Sequence, residues 1–166
     1  GLLEFLPGLD TVVFTAGSGA RTGPDKTIDV DQNASIRLMD DCKQAGVSRF
    51  IMVSAIGADP YSNSPLIQHY LRAKGVADAH LRSSGLDYTI LAPGTLLNEA
   101  ATGRIHAAED LGCHGTLPRE DLVDCIIDCL CNYHTIGKTI QMVTGRDKIK
   151  DAIAEVSGGG ALPPIL

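Results

Sequence analysis

Three strand-length runs in this chain are apolar almost throughout: Thr11-Val-Val-Phe-Thr-Ala16, Arg49-Phe-Ile-Met-Val-Ser54 and Asp87-Tyr-Thr-Ile-Leu-Ala-Pro93. A strand with one wet face alternates apolar and polar residues. A strand that does not alternate is covered on both sides, which is the condition of a parallel sheet sandwiched by helices. Helix-length stretches do lie between the runs. From about Thr27 to Ala45, Ile28, Ala34, Leu38 and Cys42 predict an inward face, and Gly46 supplies a stop. A polar loop from Gly57 to Pro65 leads into a second helix over roughly 66–84. Pro118, Glu120 and Asp121 mark the first turn of a third, running to about Asn132. Lys138–Val143 predicts a further strand and Lys148–Val156 a terminal helix. The glycine-containing stretch 95–117 is expected to form an irregular excursion over the end of the sheet. The order is β-α-β-α-β-loop-α-β-α: one α/β domain over 1–156, with 157–166 as a mobile tail.

At 166 residues the chain holds one core and too little material for two domains of ordinary size. Twenty acidic against fourteen basic residues leave a formal charge of −6. That balance offers a phosphate backbone no broad basic face, so nucleic acid is not an expected partner. No apolar run approaches the roughly 20 residues of a membrane span. Cys42, Cys113, Cys125, Cys129 and Cys131 are an odd number without framework spacing, which predicts free thiols in a reducing, cytoplasmic setting. Neither they nor the five histidines show ligand spacing, so no metal site is expected. Of the histidines, His69 alone is expected near the candidate site below.

The sharpest chemical pattern is Tyr70-Leu-Arg-Ala-Lys74 on the second helix, where a spacing of four places phenol and ammonium on one face. Lysine on the same stripe as Ala73, Ala77 and Leu81 needs a partner or a task. An ammonium beside a phenol favours phenolate, which predicts a lowered tyrosine pKa and a proton donor and acceptor. Ser54 closes the second strand at its carboxyl end, the side where parallel sheets bind ligands. The first strand ends in Ala16-Gly17-Ser18-Gly19 and the third in Pro93-Gly94-Thr95, small residues that let a flat ligand approach.

Taken together these stretches resemble the short-chain dehydrogenase/reductases, in particular their atypical, NAD(P)-binding, epimerase/dehydratase-like members. The matching segments are Asp10–Gly19, Gly46–Ser54, His69–Lys74, Leu86–Gly94 and Thr135–Thr139, in order, across about 9–156. The resemblance implies a Rossmann-like, doubly wound parallel sheet and a small carbonyl or hydroxyl substrate. It implies Tyr70 as general acid/base, Lys74 lowering its pKa and bonding a nicotinamide ribose, and Ser54 orienting substrate. Ala16, Gly17 and Ser18 would follow the adenosine side of the cofactor, with Pro93, Gly94 and Thr95 against the nicotinamide. The cofactor is NADP or NAD, and the resemblance favours NADP. A non-catalytic dinucleotide-binding redox sensor or assembly module is the alternative, or an inactive fragment of such an enzyme.

One departure from that family stands out. Its members open with a strand, a glycine-rich turn and a helix holding the pyrophosphate. Gly17-Ser-Gly-Ala-Arg-Thr-Gly23 imitates this turn, but its third glycine comes one residue late, Pro24 follows, and the next strand ends in Ser54 instead of an acidic residue. The segment therefore reads as the family's fourth strand, with the first three absent. The sheet is then expected to be incomplete and to expose Thr11–Ala16 as an apolar edge, through which homo-oligomers can form. Arg21 and Lys26 are loop cations within reach of a cofactor phosphate. Asp29 and Asp31 are expected to complement a helix dipole, and Asp40-Asp41 to lie on a solvated face.

Overall fold

The computed structural model describes residues 1–19 and 22–158. Arg21 and residues 159–166 of the expected tail lie outside the described residues. The elements run β1 (Thr11–Phe14), α1 (Pro24–Thr27), a π-helical segment (Ile28–Ala34) continuing into α2 (Ser35–Ala45), β2 (Arg49–Val53), α3 (Gln68–Ser83), β3 (Asp87–Pro93), β4 (Thr95–Leu97), β5 (Arg104–Ala108), β6 (Thr116–Pro118), α4 (Arg119–Cys131), β7 (Lys138–Thr144), β8 (Asp147–Lys148) and α5 (Ile149–Ser157).

The main sheet has the order β1-β2-β3-β7-β5-β8, and its first four strands are parallel. Every residue of β2 is buried, because the sheet is covered on both faces. On one side Phe50, Met52 and Ile90 pack under Met39 and Cys42 of α2 and Ala77 and Leu81 of α3. On the other, Ile51, Leu91, Ile140 and Met142 meet Leu122, Cys125 and Cys129 of α4 and Ile153 of α5. This is an α/β fold with a mostly parallel sheet, as the strand pattern predicts, and Rossmann-like, as the resemblance implies; β1 stands at one edge of the sheet.

Two expectations are corrected. The stretch 95–117 is not irregular. It contributes β4 and β6, which pair with each other, and β5, which joins the main sheet antiparallel to β7 and β8. Short strands of three to five residues within a glycine-rich segment carry too little periodicity to be read. The first turns of α4 pin this excursion down: the Asp121 carboxylate accepts the Thr102 and Gly103 amides and the Thr102 hydroxyl. The buried face of the first long helix is also different. Ile28 and Ala34 are exposed, whereas Thr27, Asp31, Ser35, Met39 and Cys42 are buried. The π-helical segment carries this polar row inward just where the chain passes the carboxyl end of the sheet.

At the opposite, amino end of the sheet, the buried Arg49 guanidinium donates to the Asp87 carbonyl (2.8 Å), the Thr89 hydroxyl (2.8 Å), the Cys129 carbonyl (3.0 Å) and the Thr135 hydroxyl (3.2 Å). Burying a cation is tolerable only with such partners, and Nε alone is left without one among the described residues. One side chain thereby staples β2, β3, α4 and the turn before β7, so three separate sequence motifs form one network.

Candidate active site

The carboxyl ends of β1, β2 and β3 open into a cleft of about 950 Å³. All nine residues proposed from the sequence line it: Ala16, Gly17, Ser18, Ser54, Tyr70, Lys74, Pro93, Gly94 and Thr95. Parallel strands place their ends side by side, and α3 lays Tyr70 and Lys74 across them. Gly17 and Gly94 have close neighbours within the chain itself. A Cβ on Gly17 would sit 2.9 Å from Asp31 Oδ1, and one on Gly94 would collide with the Gly115 carbonyl. Glycine at these positions serves internal packing as well as access to the cleft.

Lys74 is 3% exposed, and its Nζ lies 3.0 Å from Asp31 Oδ1, an ion pair whose angle departs from that of a hydrogen bond. It also donates to the Val53 carbonyl at 3.2 Å. The other oxygen of Asp31 accepts the Ser18 amide (2.9 Å) and hydroxyl (2.7 Å). A single buried carboxylate thus ties the loop after β1 to α3 and, through Lys74, to the end of β2. This corrects the expectation that Asp31 merely complements a helix dipole. The signal was available: Thr27, Asp31, Ser35 and Met39 recur every four residues, as one face of a helix does.

The expected effect of Lys74 on Tyr70 is corrected as well. The ammonium is 5.8 Å from the centroid of the phenol ring, but Asp31 neutralises it. Burial, with the charges of Asp31 and Asp78 added, pushes the Tyr70 phenol up to about 12. Its hydroxyl makes no hydrogen bond among the described residues. At neutral pH the Tyr70 phenol therefore carries its proton firmly.

Ser54 is held from behind. Its hydroxyl donates to Asp78 Oδ2 at 2.7 Å, and burial pushes that carboxyl up to about 6 against the opposing pull of Ser54, Arg82 and Lys74. Asp78 follows Tyr70 and Lys74 at the same spacing of four, a continuation that reading the stripe through Ala73, Ala77 and Leu81 overlooked. His114 and Arg119 also line the cleft, brought there by the excursion and the start of α4. His69 anchors the loop after β1 instead, with Nε2 3.0 Å from the Thr22 carbonyl. The charged side chains of the cleft lining are Lys74 and Arg119, and no carboxylate lines it among the described residues. With Lys74 paired to Asp31, Arg119 is the cation this lining leaves for an anionic ligand.

The family model for NAD(P)H binding matches residues 2–132. The chain belongs to the NAD(P)H-binding family. Among curated proteins, this NAD(P)H-binding chain is 39% identical over 150 residues to the uncharacterized sugar epimerase YhfK of Bacillus subtilis, covering 90% of the chain and 70% of that protein. Among solved structures it is similar to one from Bacillus halodurans, named only by family as an NAD-dependent epimerase/dehydratase. That likeness has a TM-score of 0.88 and 37% identity, over 93% of this chain and 73% of that one. It is also similar to ChuY, an anaerobilin reductase of Escherichia coli O157:H7, with a TM-score of 0.69 and 26% identity over 83% and 65% of the two chains. The relatives support a cofactor-dependent oxidoreductase or epimerase in general terms.

Proposed function

We propose that this protein is an NAD(P)-dependent oxidoreductase or epimerase of the short-chain dehydrogenase/reductase type, acting on a small carbonyl or hydroxyl substrate. The observation that carries this reading is the convergence of Ser54, Tyr70 and Lys74 on the cleft that also contains Ala16–Ser18 and Pro93–Thr95. The residues fit the cofactor: the backbone at Gly17 runs close past the Asp31–Lys74 pair, and Arg119 brings to the lining a cation without a carboxylate partner among the described residues. Ala16, Gly17 and Ser18 would hold its adenosine side, Lys74 a ribose hydroxyl, and Pro93, Gly94 and Thr95 the nicotinamide. The nicotinamide supplies or accepts the hydride.

Tyr70 then performs the proton transfer. In the reducing direction its phenol gives a proton to the substrate oxygen as negative charge develops there. Lys74, fixed by Asp31 and Val53, holds its charge at the base of the site in one position. Ser54 hydrogen-bonds the same substrate oxygen and orients it. NADP is the cofactor we favour over NAD, and a reducing, cytoplasmic compartment suits five cysteines without a disulfide among the described residues.

One observation favours a second reading, a dinucleotide-binding module without catalysis. The Lys74 charge is neutralised and the phenol is raised, which a sensor tolerates and a general base does not. Tyr70→Phe separates the two. With an enzyme, NADPH binding persists while turnover of a carbonyl substrate falls by about 100-fold or more. If a wild-type chain that binds NADPH reduces no member of a broad carbonyl panel, and Tyr70→Phe changes nothing, the binding-module reading stands.

A further inference from the structure

Ser54 and Asp78 separate two clefts. Ser54 lines the first, whereas Asp78 lines a second, of about 620 Å³; Ala55 and Gly57 border both. The link between the clefts is a single hydrogen bond of 2.7 Å from the Ser54 hydroxyl to Asp78 Oδ2. Asp78 is 2% exposed, and its other oxygen has no hydrogen-bond partner among the described residues.

We propose that Asp78 is a positioning residue that sets the hydrogen-bond polarity of Ser54, and through it whether the cleft favours a bound carbonyl or a bound alcohol. This inference rests on the proposed function. A serine hydroxyl has one hydrogen to give and two lone pairs with which to accept. While Asp78 is ionised it only accepts, so the Ser54 hydrogen points away from substrate. Ser54 then offers lone pairs to the first cleft and receives a hydrogen bond from a substrate alcohol. When Asp78 carries a proton, its hydroxyl donates to Ser54 and frees the Ser54 hydrogen for a substrate carbonyl oxygen. The proton on Asp78 is not consumed, and the proton delivered to substrate still comes from Tyr70.

The surroundings place this switch near neutrality. Burial raises the Asp78 carboxyl to about 6. On its own helix it meets Lys74 and Arg82, which favour the ionised form, and Tyr70. Across the second cleft stand Tyr88 of β3, Asp59 of the loop after β2, Glu109 and Asp110 after β5, and Lys138 of β7. Lys138 is paired with Glu109 at 2.9 Å, Asp59 accepts the Tyr61 amide, and Asp110 accepts the Gly112 amide. None of them bonds Asp78 among the described residues, which leaves Ser54 as its hydrogen-bonding partner.

The test is a carboxyl-carbon NMR titration of the full chain, combined with rates on a probe couple, acetoin with NADPH and 2,3-butanediol with NADP+. The expected result is one aspartate resonance titrating near 6, absent in Asp78→Asn and moved higher in Ser54→Ala, which removes the hydrogen bond favouring the anion. Asp78→Asn imitates the protonated acid by donating to Ser54. The KM for the alcohol should therefore rise by at least about tenfold relative to that for the ketone, and both directions should lose the pH dependence that follows the Asp78 titration. An Asp78 that titrates in the ordinary carboxylate range, or that Ser54→Ala leaves unmoved, overturns the inference, whether or not the probes are turned over. If Tyr70→Phe abolishes turnover but Asp78→Asn leaves both directions and their pH profiles unchanged, the inference fails alone. If Tyr70→Phe retains full turnover, the proposed function fails with it.

Discussion

Asp31→Asn removes one charge from the cleft and almost no volume. The partner left behind is an ammonium 3% exposed, with Val53 as its only remaining hydrogen-bond acceptor among the described residues. Removing one member of a buried ion pair costs about 3–5 kcal/mol, because the other charge stays desolvated without compensation. The Ser18 hydrogen bonds contribute little to that figure, since a carboxamide oxygen can still accept them. For a domain of this size each kcal/mol moves the melting temperature by about 2–4 °C, so Asp31→Asn should melt about 6–20 °C below wild type. Lys74→Met in the Asp31→Asn background removes the orphaned charge and should recover most of the loss. The double-mutant cycle, read by thermal and urea unfolding, should give a coupling of up to about 3 kcal/mol. The same substitution should lower the Tyr70 phenol from about 12, because Asp31 is one of the charges raising it; ultraviolet titration of phenolate reads this. A fall in melting temperature under about 2 °C, or strictly additive effects, would refute the claim that this pair anchors the floor of the site.

Of the five cysteines, Cys113 and Cys131 are exposed, whereas burial raises the thiols of Cys42 and Cys129 to about 11 and that of Cys125 further. A colorimetric thiol reagent should therefore label two rapidly and the other three only on unfolding. Asp121→Ala should leave the exposed Thr102 and Gly103 amides to water, costing about 1–3 kcal/mol and raising amide exchange there before the rest of the sheet. Asp78 has a folded pKa near 6 against 3.8 when unfolded, so the native state binds its proton more readily. Wild type should gain stability relative to Asp78→Asn as pH falls through 6 and level off near 4, a trend measured by melting both proteins over that range.

The sequence by itself determined the frame. Continuous apolar runs at Arg49 and Asp87 demand cover on both faces, while the similar run at Thr11 forms a half-exposed edge strand with Val13 open to solvent; parallel strands put their carboxyl ends together. That is why Ala16–Ser18, Ser54 and Pro93–Thr95 are found around one cleft, and why the spacing of four from Tyr70 to Lys74 survives intact. Only the tertiary structure decided the electrostatics. Helical spacing shows that a phenol and an ammonium share a face, but a pKa depends on everything else within a few ångströms. Asp31 comes from a helix 43 residues before Lys74 and takes the charge that a local reading assigns to Tyr70. Likewise the Arg49 network and the antiparallel strand within 95–117 rest on partners distant in sequence, which residue patterns do not encode. Local periodicity fixes which face of an element turns inward. What that face meets there is settled by packing.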